Sequence, residues 1–143
     1  MKKNFILLLS LIFILCGCGQ SEVEMFDFNN SDNTLSCKIP TYMHKAKEDN
    51  SSLLFEGNKK FINIMWTDAG QEWNLEKFAN KMTSGDLTLV EKNDTLISYE
   101  VRKGNVRLPA LAFSLHKTNK YSVIVTTMGL GKNTREIITN SLK

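Results

Sequence analysis

Eleven consecutive residues, Phe5 to Leu15, carry no charge and a single hydroxyl, and they follow Met1-Lys2-Lys3-Asn4 directly. A helix crossing the hydrocarbon core of a bilayer needs about 20 apolar residues, so this run is too short to span. It also lacks the polar face that a helix on a globular domain presents to water. A basic stretch followed by an apolar run of this length has the form of a secretory leader, with the lysines held on the cytoplasmic side. The remainder is then expected to fold outside the cytoplasm, as a domain complete without its first segment.

The run closes on Leu15-Cys16-Gly17-Cys18-Gly19. These residues resemble the lipobox of bacterial lipoproteins, in which an aliphatic residue and two small or tolerated ones precede a cysteine. The resemblance implies that the Cys18 thiol takes a diacylglyceryl group as a thioether and that the leader is cut just before it. Gly17 presents no side chain to the peptidase there. Cys16 is the other acceptor, but Leu15 is bulky for the position before a cut. Lipoproteins of this kind are acylated at the new N-terminus as well. Each buried methylene adds about 0.8 kcal/mol, so several chains hold where one does not. The expected organisation is a removed leader over 1–17, a lipid-bearing acidic tether over 18–33, and one globular domain over 34–143. The expected address is the cell envelope: the outer membrane if the host has one, otherwise the outer face of the cell membrane.

Loss of Lys2 and Lys3 takes the formal net charge from +3 to +1. The remaining bases are scattered, with pairs only at sites such as Lys59-Lys60 and Arg102-Lys103. Nucleic-acid binding calls for a basic stripe, commonly interleaved with aromatics, and that class is excluded. Cys37 is the one thiol left free after processing, so no intramolecular disulfide is expected. It alternates with apolar neighbours in Leu35-Ser36-Cys37-Lys38-Ile39 and is expected as a small buried strand residue. Apolar residues at 42% and charged residues at 23% suit a chain that buries a core.

The stretch to Asn33 carries Glu22, Glu24, Asp27 and Asp32 without a base, and reads as a flexible tether whose acids disfavour an anionic leaflet. Ser21-Glu22-Val23-Glu24 loosely resembles a surface-export signal found after the lipid cysteine in one bacterial phylum. Met25-Phe26-Asp27-Phe28 is too apolar for a pure linker and is expected to dock on the domain.

Alternation at Leu35, Cys37 and Ile39 predicts a strand ending at Pro40. Ser52–Phe55 and Phe61–Trp66 predict a hairpin about Glu56-Gly57-Asn58. Asn74 is placed to cap a helix over Leu75–Ser84, whose Leu75, Phe78, Ala79 and Met82 form one stripe, with Gly85 as its stop. Further strands are predicted over Thr88–Glu91, Leu96–Val101, Arg107–His116 and Tyr121–Met128. Pro109 makes its strand an edge there or starts it afterwards. Asn133 with Glu136 suggests a capping box for a closing helix that buries Ile137, Ile138 and Leu142. The expected class is α+β, an antiparallel β-sheet with two α-helices.

This order of elements resembles the PsbP/DcrB-like α/β/α sandwich of small exported bacterial proteins. The matching residues are Cys37-Lys38-Ile39-Pro40, Leu53-Leu54-Phe55, Ile62-Asn63-Ile64, the Leu75–Met82 helix and the closing Ile137-Ile138-Thr139-Asn140-Ser141-Leu142-Lys143. Tyr42 stands where a tryptophan often follows the proline in that family. The resemblance implies a fold and carries no catalytic motif.

Chemistry-bearing residues are sparse. His44 and His116 lie far apart in sequence, Ser114 shares a strand face with His116, and no G-x-S-x-G elbow occurs. His44, Glu48 and Asp49 offer part of a metal ligand set, but Lys45 and Lys47 sit among them. Met128-Gly129-Leu130-Gly131-Lys132 lacks the spacing of a phosphate-binding loop. Asp94-Thr95-Leu96 resembles an O-glycosylation site of some envelope-dwelling bacteria. Trp66 and Trp73 flank a glycine-containing loop and are the candidate surface for a ligand or partner. The expectation is a non-enzymatic, lipid-anchored envelope module with no cofactor and no metal. Its partner is an envelope protein or small ligand, as for an immunity or accessory protein. The alternative is a small envelope enzyme or metal-binding protein using His44 or His116 with nearby carboxylates.

Overall fold

A computed structural model describes residues 24–143. The leader, Cys16 and Cys18 lie outside the described residues. Nine strands and two helices follow in the order β1 (Met25–Asn29), β2 (Ser36–Pro40), β3 (His44–Asp49), β4 (Ser52–Gly57), β5 (Lys60–Asp68), α1 (Leu75–Met82), β6 (Thr88–Lys92), β7 (Leu96–Lys103), β8 (Val106–Lys117), β9 (Tyr121–Met128) and α2 (Lys132–Asn140). The class is α+β. Seven strands form one antiparallel sheet ordered β3-β4-β5-β9-β8-β7-β6, and β1 pairs with β2 in a separate ribbon.

The sheet is held by its central strand. β9 runs Tyr-Ser-Val-Ile-Val-Thr-Thr-Met, and Ser122 through Thr127 are all buried. Its alternate residues face two different cores, as the period of two in a strand requires. Val123 and Val125 meet Ile62, Ile64 and Trp66 of β5 and Leu53 and Phe55 of β4, under Ile138 and Leu142 at the chain's end and Cys37 and Ile39 of β2. Ile124 points the other way, onto Phe113, Ile97, Leu75 and Ala79. One helix therefore packs against each face, with α2 and the β1–β2 ribbon on one side and α1 on the other.

Local chemistry accounts for the joints. Asn58 and Lys59 both hold left-handed φ, 51° and 60°, so the β4–β5 connection is a two-residue turn of the kind that matches strand twist. Gly57 precedes it because a Cβ there would stand 2.5 Å from the Tyr42 carbonyl oxygen. The Asn74 side chain accepts from the Lys77 N–H at 2.8 Å, capping α1 as expected. At Pro109 only β7 remains alongside β8, since the last bond from β9's side is Gly129 N–H to Ala110 oxygen at 2.9 Å. The strand is locally an edge there, and a register shift beside it accommodates the proline.

Several expectations are corrected. The domain does not begin at Thr34, because within the expected tether Met25–Asn29 pairs with β2 and the Phe28 ring stands 4.7 Å edge-on from Phe55. Those aromatics supply the apolar contact that a linker lacks, so the expected docking of 25–28 is observed. His44–Asp49, not among the predicted strands, is an edge strand. Its side chains are almost all polar, so no alternation revealed it, and charge on an edge deters further pairing. Helix α1 ends at Met82, with Thr83 extended and bonded back to Ala79 by both its N–H and its hydroxyl, two residues before Gly85. Helix α2 starts from Gly131 with no side-chain cap, so Asn133 and Glu136 form no capping box. Ile137 is exposed, and Ile138 is the buried residue of that turn.

Candidate functional site

Strands β7 and β8 carry two kinds of side chain. Toward α1 they present Ile97, Tyr99, Leu111, Phe113 and Leu115, which fill that core. Toward α2 they present Ser98, Ala112 and Ser114, which are too small to reach a helix. A trough is left between this floor and α2. It forms two adjoining cavities of about 320 and 220 Å³ that share Lys132 and Arg135 as lining residues.

The first cavity joins Ser114 and His116 of β8 to Glu136, Thr139 and Asn140 of α2. The second lies over Ser98, Ala112 and Thr127, with Glu91 and Glu100 at its side. Arg135 separates them. It stands one turn into α2 and its side chain is half-buried. Among the described residues its Nε has no hydrogen-bond partner. It also makes no ion pair within 4.0 Å there, although five other such pairs occur. Burial pushes the guanidinium down from its ordinary value, and Glu91, Glu136 and Glu100 act in the opposite sense at longer range. The Thr127 hydroxyl, in a residue 3% exposed, is likewise buried without a partner among the described residues. Buried polar groups are normally bonded, and an orphan marks strain, a missing ligand or function. Two orphans lining one trough make it the candidate site.

The expected residues are distributed differently. Trp66 packs in the core beneath α2, 6.3 Å from Tyr121. Trp73 packs against Phe78 in the α1 core and donates its indole N–H to the Ser122 carbonyl at 3.1 Å. The two tryptophans lie on opposite faces of the sheet and share no surface. The loop between them begins one strand's end and caps one helix, so their closeness in sequence reflects chain path alone. Cys37 is a core residue, its thiol pushed up to about 12 by burial and then by the Asp27 charge.

His44 is exposed at the start of β3. Glu48, four residues further along the strand, pairs with Lys45 and accepts from the Ser31 N–H and hydroxyl at 3.1 and 2.9 Å. The Lys45 hydrogen bond, followed by those from Ser31, holds the Glu48 carboxyl below its ordinary value. Among the described residues no group of three or more His, Cys, Asp and Glu is placed to hold a metal ion. His116 and Ser114 do share one cavity, and Glu136 lines it with them.

Sequence reasoning missed Arg135, Thr127 and Ser98. The signal available was the alternation of small with large residues along β7 and β8, which marks one face as unfilled. No helix among the described residues is long and apolar enough to cross a membrane. No protein-family model matches the chain, and no curated protein matches it.

Proposed function

We propose that this chain is a lipid-anchored protein of the bacterial cell envelope, tethered through Cys18, that binds a small ligand bearing an anionic group in the trough beneath α2. On this reading it is a non-enzymatic binding or accessory module built on a PsbP/DcrB-like α/β/α sandwich. One observation carries the binding assignment. Arg135 is half-desolvated, faces the trough and has no partner within ion-pair distance among the described residues. A charged group in that position gains most from a ligand, because a charge-assisted hydrogen bond is roughly twice as strong as a neutral one. The envelope assignment rests on Lys2-Lys3, the apolar run and Leu15-Cys16-Gly17-Cys18.

A second reading has support in the first cavity, where His116, Ser114 and Glu136 converge. It is a small envelope hydrolase in which His116 serves as base. No hydrogen bond joins Ser114 to His116 among the described residues, whereas an activated nucleophile requires that contact, so binding is the reading preferred.

Both halves are testable. Metabolic labelling with palmitate should mark the native chain and not Cys18→Ala; label retained in that variant ends the anchor assignment. Small mono- and dicarboxylates should raise the thermal midpoint of the native protein and leave Arg135→Met unmoved. If His116→Ala abolishes that stabilisation while Arg135→Met keeps it, the second reading replaces the first.

A further inference from the structure

The two basic pairs that are scattered in sequence are brought to one end of the sheet. Lys59-Lys60 lies at the β4–β5 turn and Arg102-Lys103 near the tip of the β7–β8 hairpin. A row of contacts runs from the first pair to the base of the hairpin that carries the second. The Lys60 ammonium stands 5.6 Å over the Tyr42 ring, and the Lys60 stem packs on Gly129, where a Cβ would lie 3.1 Å from its Cγ. Gly129 in turn bonds Ala110 of β8. The row begins where the described chain begins, because the Glu24 carbonyl accepts from the Thr41 N–H at 2.8 Å. The end of the domain nearest to Cys18 along the chain is therefore the basic end.

The hairpin tip projects from that end. β6 starts at Thr88, opposite Glu100, and β9 stops pairing at Leu111. Val101 through Leu108 thus form a two-stranded ribbon with no flanking strand among the described residues, and every residue in it is exposed. Its cross-strand partners are Val101 with Leu108, Arg102 with Arg107, and Lys103 with Val106. Paired residues share a face and neighbours alternate, so Val101, Val106, Leu108 and Lys103 occupy one face and Arg102 and Arg107 the other. Val106 is 57% exposed and Leu108 42%. Three cations and no acid lie between Val101 and Leu108. Glu24, Glu56, Asp86 and Glu100 belong to the rim behind the tip. The apolar side chains are aliphatic, without the aromatic anchors that dominate protein interfaces.

We infer that the β7–β8 tip docks on an anionic lipid surface, with Arg102, Lys103 and Arg107 at the phosphates and Val106 and Leu108 entering the headgroup boundary. Charge complementarity and the position of the chain's start select this occupant. Five residues lie between Cys18 and Glu24, a span of at most about 20 Å, which keeps this end of the domain near the leaflet if Cys18 is anchored. The inference deepens the lipid-anchored reading and draws on it for that proximity alone. Docking would fix the domain's orientation, with the Arg135 trough standing to the side of the membrane rather than facing it.

The test is backbone hydrogen exchange of the full chain with vesicles of phosphatidylcholine, with and without phosphatidylglycerol. Slower exchange across 101–108 only when phosphatidylglycerol is present, with 117–121 at the opposite end unchanged, is the expected result. Each basic group near an anionic leaflet strengthens partition about fivefold. Arg102→Gln with Arg107→Gln should therefore weaken the phosphatidylglycerol-dependent part of vesicle binding about 25-fold and remove the protection. Equal exchange at the tip on both kinds of vesicle overturns the inference, as does protection of the tip by an envelope protein with none from lipid. A failure of the anchor alone leaves the tip protection in place and shows instead as an unmodified Cys18.

Discussion

Replacing Arg135 by methionine should make the protein more stable while depriving it of its ligand. Methionine keeps the unbranched stem that packs along α2 and removes the guanidinium. That group's Nε is buried without a partner among the described residues, and an unsatisfied buried donor costs about 1–3 kcal/mol. The outer nitrogens border the trough, and the charges of Glu91, Glu136 and Glu100 recover part of this, so a net gain of about 1 kcal/mol is expected. For a domain of this size that amounts to roughly 4 °C in the unfolding midpoint. Urea unfolding followed by tryptophan fluorescence is a suitable assay, because Trp66 reports the core under α2 and Trp73 the core under α1. The midpoint should rise with an unchanged denaturant slope. A loss of about 2 kcal/mol or more would show the guanidinium to be a structural tie between α2 and the β6–β7 carboxylates, and the trough would lose its claim as a site.

The Cys37 thiol titrates near 9 in the unfolded chain and is pushed up to about 12 in the fold, so folding favours its neutral form. Its contribution to stability is complete below about pH 9 and falls by at most about 1.4 kcal/mol per pH unit as pH rises toward the folded value. The advantage of the native chain over Cys37→Ala should shrink across that window, and an advantage that grew with pH would refute the assignment. Phe28→Ala removes a half-buried ring set edge-on against Phe55 and should cost about 2 kcal/mol in urea unfolding. No loss would return Met25–Asn29 to the tether. Gly57→Ala sets a Cβ against the Tyr42 carbonyl and should destabilise by about 1–3 kcal/mol, whereas Gly70→Ala, with open space around it, should not.

The elements legible in the sequence were those with one buried face. β4 and β5 alternate because one face of each lies on a core, and Leu75, Phe78 and Ala79 of the α1 stripe cover large side chains of β7 and β8, while Met82 at its end is half exposed. The edge strand β3 left no trace, since its six residues, His44 to Asp49, are held by backbone pairing and polar contacts such as Glu48 with Ser31, and none is buried. Met25–Asn29 was half legible: its aromatics signalled contact, while Glu24 and Asp27 signalled a linker. Ile137 and Ile138 are adjacent on a short helix, and only the packing of α2 decides which of them is buried. The candidate site was the least legible part. A trough is made by what Ser98, Ala112 and Ser114 lack, and their alternation with large residues marks the small face without saying which element stands over it. The Trp66–Trp73 pairing failed for a related reason, because closeness along the chain says nothing about which side of a sheet each ring takes.

Lipidation of Cys18 decides whether the domain is held at a membrane, and the intact mass of the protein isolated from its native membrane tests it most directly. The expected species begins at Cys18 and carries the added mass of a diacylglyceryl thioether together with an acylated amine. A chain that still begins at Met1, or one that begins elsewhere and carries no lipid, would contradict it.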